Sequence, residues 1–300
     1  MSRIHEALKK AESERGPAQS ADIAAVLTND ESASHNGSAH SGTVLTHASA
    51  RTPTLGADLR FEDVLAQCAH PKWHPYPTAN LFLDSSQHVH SAEQFRTLRS
   101  RLHQLRSEGP LRIILVTSGI AGEGKTFVAS NLAQAIVRQN QRRALLIDAD
   151  LRLSQQHVIL QAPFKPGLTD YLRGDADEMA VIQHGQEGNL CFIAGGQTVP
   201  NPSELLSTGR LKTLLDRIAP AFDWVIIDSP PCLPVADARV IADVCDGVLL
   251  VVRAGSTSLD VAQRAQQTFG GKKILGVVLN RVEENLHEYN SYYASYHRSS

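Results

Sequence analysis

The fold is decided by the stretch Ile113-Ile114-Leu115-Val116-Thr117-Ser118-Gly119-Ile120-Ala121-Gly122-Glu123-Gly124-Lys125-Thr126. Its first half is an apolar run rich in β-branched residues, its second half is rich in glycine, and residues 128–137 continue in a helical pattern. A strand, the motif G-x-x-x-x-G-K-T and a helix, in this order, form the P-loop pattern. The pattern predicts a loop whose main-chain N–H groups, together with the N-terminus of the following helix, face phosphate oxygens.

The loop also contains side chains of the types that bind a nucleotide and its metal ion. Lys125 can reach the β- and γ-phosphates, and the hydroxyl of Thr126 can hold Mg²⁺. The glycines allow the backbone to turn tightly around the phosphates. The predicted nucleotide-binding residues of the loop are Gly119, Gly122, Glu123, Gly124, Lys125, Thr126 and Phe127. The alternative is a glycine-rich surface turn with a free lysine, and the flanking strand and helix argue against it.

Two further apolar runs end in acidic residues. Residues 144–148 end at Asp148 with Asp150 two positions on, and residues 222–228 end at Asp228, which matches a Walker B aspartate. Acids in these positions lie at the ligand edge of an open parallel sheet. Because strands alternate with helices from about residue 91 to residue 282, we expect an α/β fold. It is a doubly wound, mostly parallel P-loop NTPase sheet with helices on both faces.

Composition limits the possible partners and surroundings of the chain. The 300 residues carry a net charge of -2, which excludes a general attraction to nucleic acid. The four cysteines have no paired spacing and are expected to be reduced thiols of a cytoplasmic protein. Cys68, His70 and His74 fit no standard zinc spacing. Since no apolar run is long enough to cross a membrane, we expect any recruitment to the inner membrane to depend on a partner.

The chain is predicted to have four parts. Residues 1–15 form an amphipathic docking helix, and residues 16–87 form a mostly disordered linker with one or two amphipathic turns near Phe61. Ordered structure is expected to resume near Leu81, and the nucleotide-binding domain occupies residues 88–284. The remaining residues, 285–300, form a polar tail.

The tail is unusual because it is rich in tyrosine. Four of the six tyrosines of the chain lie in it, and no apolar residues surround them, so a core role is excluded. They are Tyr289, Tyr292, Tyr293 and Tyr296.

A helix predicted to begin near Ser91, with Ser91 as its cap, precedes the P-loop strand. Glu93, Arg96 and Arg99 recur at intervals of three, so they are expected to share its exposed side. A solvated charged face is the alternative to a binding surface.

Together these motifs resemble the bacterial tyrosine kinases of exopolysaccharide and capsule export, over residues 88–300. The resemblance rests on the motif sequences at 122–126, 145–152, 200–206, 225–231 and 275–280, followed by the tyrosine tail. The first twelve residues also resemble the start of soluble autokinases found beside exosortase-linked gene clusters. Two departures are Ala121, where the family usually has proline, and Leu153-Ser154, where Arg-Pro is common.

The resemblance implies an enzyme. It would be a protein-tyrosine autokinase that transfers the γ-phosphoryl group of Mg-ATP to its own tail tyrosines in trans and so regulates polymer export. The implied catalytic residues are Lys125, Asp148 as the proton acceptor, Asp150 in an assisting role, and Asp228. Thr126, Asp148 and Asp228 would hold Mg²⁺, and Asn280 would lie on the adenine side of the nucleotide.

The resemblance also implies partners. Glu93, Arg96 and Arg99 match the motif through which the family assembles into rings. A membrane-embedded polysaccharide co-polymerase would activate the kinase through a cytosolic tail, and a phosphotyrosine phosphatase would reverse the modification.

Two other functions remain open at this point. One is a MinD/ParA-like ATPase switch, although residues 118–120 lack the extra lysine that reaches across such dimers. The other is a catalytically silent partner module of a polysaccharide-export complex, against which the intact lysine and three aspartates argue.

Overall fold

A computed structural model describes residues 59–83, 88–185 and 188–282. The predicted docking helix, the linker up to residue 58 and the tyrosine tail lie outside the described residues.

The core is a seven-stranded sheet with the strand order β3-β4-β2-β5-β1-β6-β7. All neighbouring strands are parallel except β3, which pairs antiparallel with β4 at one edge. This confirms the predicted α/β fold with a mostly parallel sheet. The strands are β1 (Ile113–Ser118), β2 (Ala144–Asp148), β3 (Ile182–His184), β4 (Leu190–Ile193), β5 (Trp224–Asp228), β6 (Gly247–Arg253) and β7 (Ile274–Asn280).

Helices connect the strands and cover both faces of the sheet, and the two faces bury separate apolar clusters. The helices are α1 (Phe61–Gln67), α2 (Val89–Ser107), α3 (Lys125–Val137), α4 (Gln156–Leu160), α5 (Leu168–Arg173), α6 (Glu178–Val181), α7 (Pro202–Leu206), α8 (Arg210–Ile218), α9 (Asp237–Ala242) and α10 (Leu259–Gln267). Helices α2 and α3 cover one face, whereas α1, α5, α8, α9 and α10 contribute to the other.

Residues 59–83 differ from the expected linker, because they pack against the domain; we call them the strap. Phe61 and Val64 of α1 are buried on one face of the sheet, and Leu81 and Phe82 are buried on the other. Between these two anchors, Ala69 bridges to the edge strand β3. The expected amphipathic turns near Phe61 are confirmed as α1. The linker prediction extended too far because a few large apolar residues are spread along this polar segment.

The strap is joined to the helix behind the P-loop by a buried side chain. Asn131 of α3 donates to the Ala79 carbonyl and accepts from the Leu81 N–H, both at 2.9 Å. The nearby guanidinium of Arg138 donates to the Phe82 carbonyl. These bonds hold the end of the strap against α3.

Two sequence-based predictions of helices are wrong. The leucine pattern of residues 203–218 predicts one helix, but the structure has α7 and α8, because Gly209 has a φ of 79°, which a right-handed helix does not allow. Helix α2 begins at Val89, so Ser91 lies within it and does not cap it. The short strand β3 has no equivalent among the predicted elements.

Candidate nucleotide-binding and phosphotransfer site

The P-loop lies between β1 and α3, as the sequence predicts. Gly122 and Gly124 have φ angles of 84° and 91°, a region that residues with a Cβ rarely adopt. Gly119 has a different role, because a Cβ at this position would press against Val261 and Ala265 of α10. Its glycine is therefore needed for close packing, whereas the other two allow the loop to turn.

Glu123 braces the loop from within. Its buried carboxylate accepts hydrogen bonds from the Thr257 hydroxyl at 2.6 Å and from the Ile120 N–H at 2.9 Å. The side chain therefore points away from the phosphate side and ties the loop to the segment between β6 and α10. The group of Glu123 that can donate a hydrogen bond to a phosphate oxygen is therefore its main-chain N–H.

Asn280 and Phe127 also support the loop. The Asn280 amide, at the end of β7, donates to the Glu123 carbonyl at 2.8 Å. The ring of Phe127 packs edge-on against Phe95 of α2, with centroids 6.1 Å apart. Both residues therefore lie at the loop, as predicted. In this structure the Asn280 side chain binds the main chain of the loop, and the Phe127 side chain packs against α2.

The predicted acidic residues converge beside the loop. Asp148 and Asp228 are directly opposite each other at the ends of β2 and β5. Asp150 follows at the same edge, and its carboxylate lies 2.9 Å from the ammonium of Lys125. Although burial by itself lowers the pKa of Lys125, the charges of Asp228 and Asp150 raise it, so the ammonium stays charged.

Asp148 is enclosed in a dense set of donors. Its Oδ2 accepts from the Ser154 hydroxyl at 2.6 Å and from the N–H groups of Gln155 and Gln156 at 3.1 and 3.0 Å. Burial raises the pKa of Asp148 to about 7, and the neighbouring charge of Asp228 adds to this effect. Ser154 stands where the family commonly has proline, so this departure adds a hydrogen bond to a predicted catalytic residue.

Asp228 has one oxygen free for a further partner. Its Oδ2 accepts from the Gln156 amide at 3.0 Å, whereas Oδ1 is buried without a partner among the described residues. Burial raises the pKa of Asp228 to about 6, and the charge of Lys125 opposes this rise.

These groups fit Mg²⁺. The three carboxyl groups of Asp148, Asp150 and Asp228 outnumber the one ammonium, and the unpartnered Oδ1 of Asp228 is a hard oxygen ligand. The described residues contain no cluster of three His, Cys, Asp or Glu side chains arranged to bind a metal. Mg²⁺ is usually held by one or two carboxylates, nucleotide phosphates and water.

Sequence reasoning missed an ion pair that holds the acidic loop after β2. Arg152 binds Asp237 of α9 through two hydrogen bonds, at 2.7 and 3.0 Å, and the Asp237 side chain is fully buried. Ser203, at the start of α7, donates to the same carboxylate and accepts from Arg152. We call these residues the clamp. The sequence signal was present, because Arg152 and Ser203 lie in motifs quoted for the family resemblance.

The predicted oligomerisation residues have unequal surroundings. Arg96 pairs with Glu93 at 2.8 Å, and both side chains are partly exposed. Arg99 instead donates to the Ala135 carbonyl at 2.6 Å, near the end of α3. The three residues therefore do not form one free exposed face, since Arg99 serves the fold of its own chain.

Comparisons with known proteins agree with this site. The chain matches the CobQ/CobB/MinD/ParA nucleotide binding domain family (CbiA) over residues 114–298. Tyrosine-protein kinase YwqD of Bacillus subtilis is 34% identical over 207 residues, which cover 68% of this chain and 87% of YwqD. The matched family is one of nucleotide-binding domains, and the matched residues include the P-loop and the three aspartates.

Solved structures extend the comparison to the fold. The kinase domain of Escherichia coli tyrosine kinase ETK is 37% identical with a TM-score of 0.58, covering 64% of this chain and 78% of that structure. The chimerical protein CapA2B2 is 29% identical with a TM-score of 0.65, covering 74% of this chain and 99% of that structure. No described helix is long and apolar enough to span a membrane.

Proposed function

This chain belongs to the family of bacterial tyrosine kinases, and on that premise we propose that it phosphorylates its own C-terminal tail in trans, with Mg-ATP as the donor. The tyrosines that accept the phosphoryl group are Tyr289, Tyr292, Tyr293 and Tyr296. The proposal includes control of exopolysaccharide polymerisation and export through this modification.

The position of the end of β7 carries the proposal. Its last residue, Asn280, contacts the P-loop, so the chain leaves the sheet beside the nucleotide site. An extended chain spans up to about 3.5 Å per residue, which gives Tyr289 a reach of about 25 Å from Val282. With that reach we expect the tail tyrosines to enter a nucleotide site, either their own or that of an adjacent copy.

The side chains have distinct roles in the proposed transfer. The phenol oxygen bonds to the γ-phosphorus, the bond from that phosphorus to the bridging oxygen of ADP breaks, and the phenol proton passes to Asp148, assisted by Asp150. Lys125 and the loop N–H groups stabilise charge on the transferred group. Thr126, Asp148 and Asp228 would hold Mg²⁺, which would supply neutralisation of the phosphate charge.

Nucleotide binding also changes the pairing of Lys125. A γ-phosphate competes with Asp150 for the ammonium that now lies 2.9 Å from this carboxylate. Binding of ATP therefore releases Asp150 for its assisting role, which links occupancy of the site to its reactivity.

Phosphorylation then works as an assembly switch. Each phosphate adds about 1.5 to 2 negative charges, so a multiply modified tail repels itself and the acidic edge of the sheet. We expect the modified tail to leave the neighbouring site and the ring to loosen. The membrane-embedded co-polymerase would recruit and activate the kinase at the inner membrane, and a phosphotyrosine phosphatase would reset it.

Mass spectrometry of the full chain incubated with Mg-ATP tests the proposal, alone and with the cytosolic tail of the membrane partner. Active enzyme is mixed with Lys125→Met protein of a different mass, and phosphotyrosine is mapped on both chains. Phosphate on the tail of the inactive chain is expected. Phosphate only outside residues 285–300, or an unlabelled inactive tail, contradicts the trans mechanism.

The same incubation separates the other functions. Hydrolysis of ATP without phosphotyrosine is expected of a MinD/ParA-like switch. Neither hydrolysis nor phosphotyrosine, with the partner present, is expected of a silent module.

Ring assembly is tested best at Arg96. Arg96→Glu reverses a charge that is partly exposed, whereas Arg99→Ala would also remove a bond to Ala135. We expect Arg96→Glu to give a monomeric mass by light scattering, and Arg101→Glu, at an exposed position of α2, to keep the wild-type mass. An unchanged mass for Arg96→Glu, or a monomeric wild type, contradicts the proposed role of the motif.

A further inference from the structure

One buried glutamine connects the three motifs of the site. Gln156 begins α4, and its side chain has no solvent exposure. Its main-chain N–H donates to Asp148 Oδ2 at 3.0 Å. Its side-chain Nε2 donates to the Thr126 carbonyl at 2.9 Å and to Asp228 Oδ2 at 3.0 Å. A single residue outside the motifs thus contacts the P-loop and both strand-end aspartates.

The orientation of the amide follows from these partners. A carbonyl oxygen and a carboxylate oxygen both accept hydrogen bonds, so only the nitrogen of the amide can face them. The amide oxygen of Gln156 then points elsewhere. It is buried and has no partner among the described residues, as is also true of Asp228 Oδ1.

Two buried hydrogen-bond acceptors, the amide oxygen of Gln156 and Oδ1 of Asp228, thus lack a partner among the described residues. A buried acceptor without a hydrogen bond is costly, and such groups are rare in native proteins. Mg²⁺ keeps several water ligands when it binds protein, and those waters are hydrogen-bond donors. A hydrated Mg²⁺ held at Asp228 would supply a partner to its Oδ1.

We propose that Gln156 is a positioning residue for Mg²⁺, holding the Asp228 carboxylate and the Thr126 main chain in place through its amide nitrogen. This inference rests on the proposed use of Mg-ATP. It assigns to Gln156 a role that no motif of the chain indicated, because the residue lies six positions after Asp150 in a polar run.

The adjacent residue provides a matched control. Gln155 has the same side chain, but it is exposed and donates only to the carbonyl of Ser154. Its main-chain bond to Asp148 survives any side-chain substitution. Gln156→Met and Gln155→Met therefore make the same chemical change, inside and outside the site.

The experiment measures binding of a fluorescent ADP analogue to the full chain, first in EDTA and then across a Mg²⁺ titration. For Gln156→Met we expect the Mg²⁺ concentration at half-effect to rise about ten- to a hundred-fold, the usual range when a residue that orients a metal ligand is lost. Affinity in EDTA should stay within about two-fold of wild type, since the P-loop donors are intact. Gln155→Met should match wild type in both conditions.

Several outcomes would overturn the inference. A Gln156→Met protein with the wild-type Mg²⁺ dependence shows that the glutamine only fills space, even if its melting temperature falls. An equal loss of affinity with and without Mg²⁺ indicates general damage to the loop. If the affinity of the wild type for ADP does not depend on Mg²⁺, both this inference and the proposed cofactor are wrong. If the affinity depends on Mg²⁺ as expected but no phosphotyrosine forms, only the proposed function is contradicted.

A second variant serves if Gln156→Met does not fold. Gln156→Asn keeps a buried amide beside the carboxylates but is one methylene shorter, so it cannot keep both side-chain contacts. We expect the same direction of change in Mg²⁺ dependence, and wild-type behaviour of Gln156→Asn would count against the inference.

Discussion

The P-loop and the acidic loop after β2 meet at one site, but they are supported in different ways. The P-loop is braced by a residue of its own motif, Glu123, which binds Thr257, and by Asn280 at a strand end. The acidic loop is held by residues that follow it or lie on other elements: Asp237 binds Arg152, and the Gln156 N–H donates to Asp148. One loop thus carries its support within a recognisable motif, whereas the other depends on contacts that only the fold brings together.

The largest expected effect comes from the residue that the two loops share. Lys125→Met removes the ammonium that faces both the phosphates and Asp150. We expect autophosphorylation to fall by at least about 10²- to 10³-fold, the range seen when one preorganised stabilising group is deleted. The rate of phosphotyrosine formation, with circular dichroism to confirm the fold, measures this. A correctly folded variant that labels its tail at the wild-type rate would refute the site assignment.

The support of the acidic loop is tested by breaking the clamp. Arg152→Met leaves the buried Asp237 carboxylate without its cation, and we expect a loss of about 3 kcal/mol in unfolding free energy. Arg173→Met, which breaks an exposed pair with Asp175, should cost less than about 1 kcal/mol. Urea unfolding of both variants provides the measurement, and equal costs would mean that the clamp is no stronger than a surface pair.

The clamp also predicts a dependence on pH. Burial alone would raise the pKa of Asp237, but hydrogen bonds from Arg152 and Ser203 hold it below the usual value. A lowered carboxyl pKa stabilises the fold above the unfolded pKa of about 3.9, and this contribution is lost as pH falls through the folded value. The stability difference between wild type and Arg152→Met should therefore shrink as the pH falls below about 4, and a constant difference there would contradict this account.

Two glycines of the P-loop allow a matched comparison within one motif. Both have positive φ, but a Cβ at Gly124 would collide with the Asn280 amide, whereas a Cβ at Gly122 meets open space. Gly122→Ala should cost about 1–2 kcal/mol from its φ alone, and Gly124→Ala should cost more. In Gly124→Ala/Asn280→Ala the two costs should not add, because the second change removes the obstacle. Thermal melts of wild type, Gly124→Ala, Asn280→Ala and the double variant test this prediction. Strictly additive losses of stability would exclude the collision.

An effect on stability without an effect on Mg²⁺ binding is expected at the partner of Glu123. Thr257→Val keeps the shape of the side chain but removes the hydroxyl that donates to Glu123. The loss of one hydrogen bond to a buried carboxylate should cost about 1.5–3 kcal/mol at most, since the carboxylate keeps its bond from the Ile120 N–H. We expect a lower melting temperature with unchanged Mg²⁺ dependence of nucleotide binding. A changed Mg²⁺ dependence would show that the two loops do not have separate supports.

Much of the fold follows from local sequence patterns. Buried parallel strands such as β1 and β5 are continuous apolar runs, and acids at strand ends mark the ligand edge, so Asp148 and Asp228 are correctly predicted to lie together. The conformation of the glycine-rich loop is also predictable from sequence, because phosphate binding fixes the spacing of its glycines and its lysine.

The remaining features depend on contacts between distant residues. Strand β3 has only three residues and exists because β4 and Ala69 pair with it. The clamp joins residues more than thirty positions apart, and no local pattern identifies a buried Asp237 as the partner of Arg152. Gln156 likewise stands in a polar run that resembles a surface turn until the fold buries it.

The strap has a consequence for the solubility of shorter pieces of this protein. Ala69 exchanges two main-chain hydrogen bonds with the outer side of β3, the edge that no other described strand covers. A piece cut at residue 88, the domain boundary expected from sequence, would expose that edge together with the apolar surfaces that receive Phe61 and Phe82. Uncovered edges recruit strands from other molecules. Residues 59–83 therefore act as a guard against aggregation as well as a connection between the two faces.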